Sequence, residues 1–366
     1  TWTHKCCGTG PGGTASSSNP NILSYAGDGV EEGGQYYYDL TLGVSPTNAD
    51  DVYTGGIAVW KSTDGGSTFS NLMGRWYWVS SQPDKYIHAD VHDINIYPDG
   101  SIWVACDGGA FYSPDNGATF RQRHNGIQAS DFWGFAIHPF NNEVMIGGTY
   151  HNGTLMKDGA TFDGGWVHVG GGDDYFGAAS PIDDRTLFAR NLTRYQLSGI
   201  RLDGWDGFSV SKTMNQGASA MNSSNLAFKP NCGQCFYLGS NDEIWYTSDN
   251  GASFTLTKDF GNGYNVTRIE VAYSNANTIY AAQYGAYNNN NRKLWRSDDG
   301  GQNWTDITPT AEVGGLNNAG FDFVVDSQDA NTLWLTKRHE WGWNYYNGVK
   351  VYKSDNGGAS WTNLST

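Results

Sequence analysis

The sequence predicts an all-β protein, a seven-bladed β-propeller of four-stranded antiparallel blades, and three observations carry that prediction. One short phrase recurs along the 366 residues. Its copies keep a period of about 50 residues, slightly longer than that of ordinary four-stranded blades. Between copies lie short β-rich runs bounded by Pro, Gly, Asn and Asp, and nothing is patterned as a long amphipathic helix.

The phrase is Ser/Thr-x-Asp/Asn-x-Gly-x-x-Phe/Trp, and it stands at Ser62 to Phe69, Ser113 to Phe120, Thr247 to Phe254, Ser297 to Trp304 and Ser354 to Trp361. The closing aromatics are 51 residues apart from Phe69 to Phe120, 50 from Phe254 to Trp304 and 57 from Trp304 to Trp361. The 134 residues from Phe120 to Phe254 hold two worn copies, Lys157 to Phe162 and Gly204 to Phe208. Seven units of 42 to 57 residues follow, closing near Phe69, Phe120, Phe162, Phe208, Phe254, Trp304 and Trp361 within one domain over 1–366.

Asp and Ser/Thr side chains hold a tight turn by bonding nearby backbone, Gly supplies φ > 0, and the aromatic anchors the next strand. The phrase resembles the Asp-box (BNR repeat) of the sortilin, xyloglucanase and sialidase-like β-propellers. That resemblance implies a turn between the third and fourth strands of each blade, remote from the central channel, in a secreted protein. Asp64, Asp115, Asp249 and Asp299 are therefore expected to be structural.

Each unit repeats one order: an inner strand, a Pro/Asn/Asp turn, a second strand, a loop, a third strand, the phrase and an outer strand. Inner strands are expected near Tyr38 to Leu42, Val91 to Tyr97, Trp133 to Ile137, Phe176 to Ala179, Leu226 to Phe228, Thr267 to Tyr273 and Phe321 to Val325. Turns such as those at Pro46, Pro98, Pro139 and Pro181 follow the strands. Trp60, Trp103, Trp245, Trp295 and Trp334 are expected to wedge between blades.

Net charge is −15, from 22 basic and 37 acidic residues, which opposes binding to nucleic acid or anionic lipid. No run of 18 apolar residues exists, so no transmembrane helix is expected. Cys232 and Cys235 read as a small disulfide loop, which points to an extracellular or cell-surface location. Cys6, Cys7 and Cys106 leave their pairing open. Thr1 to Thr3 looks like the strand that follows such a phrase, so the chain is expected to be a fragment of a longer secreted protein.

Site candidates gather ahead of the inner strands, where the resemblance places the channel mouth. His88, Asp90 and His92 would share one face of an extended segment at i, i+2 and i+4, two imidazoles and a carboxylate able to hold a divalent cation or a substrate. Polar bonding between neighbouring blades is the bland alternative. Asp107, in Asp-Gly-Gly-Ala-Phe-Tyr, resembles the Asp-x-Gly-Gly-Ala-Tyr of xyloglucanase-type propellers with one residue missing. Asp90 or Asp107 with Asp173 or Asp174 would supply the two carboxylates an inverting glycosidase needs, about 6.5–9.5 Å apart.

The sialidase branch implies three arginines, for which Arg190, Arg268 and Arg338 are available with Glu270 and Glu340. Its Arg-Ile-Pro sequence is absent and the acidic field repels an anionic ligand. Aromatics crowd the connecting loops, with Trp76, Trp78, Trp133, Tyr175, Trp341 and Trp343 beside Asp and Asn, the composition a glycan groove requires.

Two functional readings follow. One is an extracellular glycan-recognising propeller, with paired-carboxylate glycoside hydrolysis as its catalytic form. The other is a non-catalytic adhesion module that binds polypeptide within a larger chain. Neither requires a cofactor.

Overall fold

The computed structural model describes residues 4–5, 20–24, 29–30, 33–35, 37–73, 83–123, 125–126, 130–150, 152–158, 165–189, 192–199, 208–214, 225–285, 291–309, 316, 320–338 and 350–365. For 198–199, 208–214 and 338 the description covers backbone alone. The chain divides into two compact units, Thr1–Ser130 and Asp131–Thr366.

The N-terminal unit holds two sheets. The first contains β1 (Thr41–Val44), β2 (Val52–Gly55), β3 (Val59–Ser62) and β4 (Ser70–Asn71); the second contains β5 (Val91–Ile96), β6 (Ile102–Cys106), β7 (Gly109–Ser113) and β8 (Arg121–Gln122). Tyr53, Val59 and Trp60 of the first sheet pack against Val91, Ile94, Ile102 and Val104 of the second.

The C-terminal unit holds five sheets. The third and fourth are β9 (Phe132–His138), β10 (Asn141–Thr149), β11 (Gly153–Asp158) and β12 (Trp166–Gly170), then β13 (Ala178–Ala179), β14 (Thr186–Ala189), β15 (Thr193–Gly199) and β16 (Phe208–Met214). The fifth is β17 (Asn225–Phe228), β18 (Phe236–Ser240), β19 (Glu243–Thr247) and β20 (Thr255–Asp259). The sixth is β21 (Asn265–Val271), β22 (Ile279–Tyr284), β23 (Arg292–Ser297) and β24 (Thr305–Asp306). The seventh is β25 (Gly320–Val325), β26 (Leu333–Arg338), β27 (Lys350–Ser354) and β28 (Thr362–Asn363).

Every sheet is an antiparallel meander with its strands in chain order, the blade pattern of a seven-bladed β-propeller. Within the C-terminal unit each sheet packs on the next through its second strand, whose alternate residues face opposite neighbours. In β18, Phe236 and Leu238 meet the fourth sheet while Tyr237 meets Val266 and Ile279 of the sixth. In β22, Ile279 and Ala281 face the fifth sheet and Tyr280 and Ala282 face the seventh. Burial on both faces matches the apolar starts of these strands, residues 236–239 and 279–282.

The repeated phrase forms the turn between third and fourth strands. Ser62 Oγ accepts from Gly66 N at 2.9 Å and donates to Asp64 Oδ1 at 2.8 Å, and Thr68 N donates to the same oxygen at 2.8 Å. Ser113, Thr247, Ser297 and Ser354 repeat the bond to glycine at 2.9 Å. Two consecutive residues turn left-handed: Gly65, Asn116, Asn250, Gly300 and Gly357 have φ of 58–74°, and the glycines after them 79–89°. That conformation selects Gly or Asn, then Gly.

Two inner strands start later than expected because local bonds, a backbone turn in one and a side chain in the other, take the amides a ladder would use. β1 starts at Thr41, since the amides of Tyr38 and Asp39 donate to the Gln35 carbonyl. β13 starts at Ala178, since Phe176 N donates to Asp174 Oδ1 at 3.1 Å. Trp60 is buried between sheets as expected. Trp103 is not: it lies on the outward-facing side of β6, 39% exposed, against Tyr112. Cys232 and Cys235 are bonded in the loop between β17 and β18, Cα atoms 5.2 Å apart. Cys106 is a buried free thiol, pushed up to about 12 mainly by burial; Cys6 and Cys7 lie outside the described residues.

Candidate functional site

Segments entering the first strand and loops joining the second and third strands share one end of each sheet, opposite the repeated turn. In the N-terminal unit this end carries Tyr38, Asp39, His88, Asp90, His92 and Asp107. The expected common face of His88, Asp90 and His92 does not form. Asp90 adopts φ of 64°, which breaks the extended alternation. Its side chain turns inward and is buried, whereas His92 is exposed and His88 lies against Gly108, its Nδ1 3.1 Å from the Ala89 carbonyl. Among the described residues no group of three His, Cys, Asp or Glu side chains is arranged to hold a metal ion.

Asp107 is committed to neighbours. Its carboxylate accepts from the Tyr38 hydroxyl at 2.9 Å and lies 2.7 Å from His92 Nε2, and Tyr38 meets the His92 ring edge-on at 5.0 Å. Behind this triad, Gln35 Nε2 donates to Asp90 Oδ1 and, at 3.4 Å, to Asp39 Oδ2. Asp39 has no exposed surface, and its Oδ1 has no hydrogen-bond partner among the described residues. Burial first, then the Asp90 charge, raises its carboxyl to about 6. Asp39 carried no motif, and the expected inner strand from Tyr38 to Leu42 placed it inside a strand rather than ahead of one.

In the C-terminal unit Asp173 and Asp174 separate. Asp174 is buried and accepts from Thr154 Oγ1 and Phe176 N, fastening the loop to β11. Asp173 accepts from the Tyr175 hydroxyl at 3.3 Å. Tyr175, 49% exposed, belongs to an aromatic platform. Trp133, 55% exposed, stacks on Tyr150 with ring centroids 4.6 Å apart and planes 11° off parallel, and Tyr175 stands 5.1 Å from Trp133. Asp131 Oδ2 accepts from Trp133 Nε1 at 2.9 Å and fixes the indole edge. Tyr150 went unnoticed in the sequence because its contact with Trp133 crosses strands, whereas Asp131, two residues before Trp133, was within local reach.

Arg268 lies beside a cleft of about 320 Å³ lined by Asn225, Thr267, Arg268, Ala282, Tyr284, Phe321 and Asp322. Its guanidinium reaches Glu270 at 3.2 Å and Asp322 at 3.3 Å, over the Phe323 ring. Burial raises the Glu270 carboxyl above its ordinary value against the bond from Val325 N. Trp76, Trp78, Trp341, Trp343, Arg190 and Glu340 lie outside the described residues, as does the side chain of Arg338.

No family model matches the chain, and no curated protein matches it. Solved structures similar to it include YCF48 from Cyanidioschyzon merolae, at 13% identity over 86% of this chain and 95% of that one, with a TM-score of 0.37. YCF48 bound to D1 peptide is similar at 13% identity over 89% and 82%, TM-score 0.34. The GH74 xyloglucanase from Xanthomonas campestris is similar at 12% identity over 89% of this chain, TM-score 0.33, and the chain spans 64% of its length. The sheet topology, rather than these scores, carries the fold class.

Proposed function

We propose that this chain is an extracellular, glycan-recognising β-propeller of the Asp-box type, and that it binds sugar without cleaving it. The observation that carries the reading is the Trp133–Tyr150–Tyr175 platform with Asp131 and Asp173 at its edges. Flat, half-open rings match the apolar C–H faces of pyranoses, and carboxylates beside them accept from sugar hydroxyls. Three of the four acidic candidates for hydrolysis are engaged within the fold, which leaves no second carboxylate among them to act with Asp173: Asp90 is buried, Asp107 serves Tyr38 and His92, and Asp174 ties a loop. The Cys232–Cys235 disulfide supports an oxidising compartment.

Titration with cello-, xyloglucan- and chito-oligosaccharides tests this. Trp133→Ala should weaken binding by about 2 kcal/mol, roughly thirtyfold, with an unchanged melting temperature. Oligosaccharide binding untouched by Trp133→Ala and Tyr175→Ala would remove the platform from the account. Release of reducing ends would establish hydrolysis instead. Tight binding of peptides with none of sugars would favour the adhesion module.

A further inference from the structure

The cleft beside Arg268 is built from the first strands of three sheets, β17, β21 and β25, and the end of β22. Its polar groups are incompletely answered. Arg268 gives one terminal nitrogen to Glu270 and the other to Asp322, while its Nε has no acceptor among the described residues. Asn225 spends its carbonyl oxygen on Ile269 N at 3.1 Å, and its amide nitrogen likewise has no acceptor. Two donors in one cleft wall thus lack partners, each a cost that a ligand acceptor would remove.

The opposite requirement is met by Asp322, whose side chain is 60% exposed and offers carboxylate oxygens to a donor. Its contact with Arg268 is long and open to water, so a ligand displaces it at little cost. When Arg268 leaves Asp322, its guanidinium can turn into the cleft. Thr267 stands beside these groups, Arg292 lies over the Tyr284 ring at 4.3 Å, and the rest of the wall is apolar. Ala282 and the rings of Phe321 and Tyr284 form it, the two rings 5.2 Å apart, and the Tyr284 hydroxyl is engaged by the Phe321 backbone.

Charge narrows the ligand. An anion would meet Glu270 and Asp322 on a chain of net charge −15, and a cation would meet Arg268. A hydroxyl-only sugar can lay a C–H face on this wall but carries no amide to answer the two donors and Asp322 together. A neutral secondary amide with a methyl group satisfies all three surfaces: its carbonyl accepts from Arg268 and Asn225, its N–H donates to Asp322, and its methyl covers Ala282 and Phe321. We propose that this cleft selects the acetamido group of an N-acetylated sugar, an inference that rests on the glycan reading and names its substrate class. The cleft volume, about 320 Å³, suits a single substituted ring.

Chitotetraose and cellotetraose, equal in length and differing by the acetamido group, are titrated against the intact chain and its Asp322→Ala and Arg268→Ala variants. Chitotetraose should bind about tenfold more tightly to the unaltered chain, and either substitution should bring the two sugars to equal affinity. Methyl saturation-transfer signals from the acetyl group should vanish in both variants. Equal affinities for the two sugars in the unaltered chain overturn the acetamido assignment and leave the glycan reading standing. Binding of neither sugar, with capture of the dipeptide analogue N-acetylalanine N-methylamide by the cleft, overturns both. A variant that loses binding through misfolding would also lose cellotetraose, so retained cellotetraose affinity is the control for folding.

Discussion

At Asp39 a carboxyl group without exposed surface lies beside a second acid, Asp90, with one amide, Gln35, serving both. Burial and the Asp90 charge lift its folded value to about 6, above the ordinary 3.8. The native chain therefore holds a proton that the unfolded chain releases. The stabilisation this gives is complete below about 4 and is lost as pH rises through 6, roughly 3 kcal/mol at most. Asp39→Asn should abolish this slope and raise the melting temperature at pH 7.5 more than at pH 4.5. Melting curves of both proteins between those values check it, and parallel pH profiles would contradict it.

At the scale of an element, the repeated turn is a five-fold copy of one hydrogen-bonding device. In four copies an Asp carboxylate accepts from a backbone N–H and from Thr, Ser or Asn four residues on; in the fifth, Asn356 Oδ1 accepts from Ser360 N while its Nδ2 donates to Ser360 Oγ, and in all five the Ser or Thr holds the glycine amide. Asp249→Ala strips the bonds from Ser253 and Thr247 and should lower stability by roughly 0.5–2 kcal/mol with ligand binding intact below the melting temperature. Lost binding at unchanged stability would give this turn a role in recognition. The Cys232–Cys235 loop yields a second expectation: alkylation of the unreduced native protein should modify neither residue, as read by mass spectrometry. Full modification of both would show the pair to be reduced and weaken the extracellular reading.

Across the whole molecule the acidic turns act together. Asp64, Asp249 and Asp299 are held at about 2, Asp64 chiefly by Thr68 N–H, Asp249 by the Ser253 hydroxyl and Asp299 by Asn303 N–H. Their folded values lie below the ordinary 3.8, so their stabilisation is present above about 4 and disappears as pH falls through 2. Acid unfolding should set in between those values. The net charge of −15 adds self-repulsion at neutral pH, so 0.5 M salt should raise the melting temperature there. A melting temperature that falls with added salt would show that attractive pairs such as Lys293–Asp306 outweigh it.

The number of sheets, the strand order and the left-handed corner at Gly65, Asn116 and Asn250 were legible in the linear sequence. Each depends on neighbours within a few positions, on residues that tolerate φ > 0 and on strand-length apolar runs. The fate of the acids was not legible. Asp90 looked like a face-sharing ligand until its own left-handed φ turned it into the interior beside Asp39. Asp173 and Asp174 are adjacent in sequence, yet one meets solvent-facing Tyr175 and the other is locked by Thr154. Alternation along a strand gives the side a residue occupies; what stands opposite comes from segments far along the chain. That is why the Trp133–Tyr150–Tyr175 platform and the cleft of Asn225, Arg268 and Asp322 emerged only when those segments were brought together, and why burial, which sets both charge and reach, followed from packing.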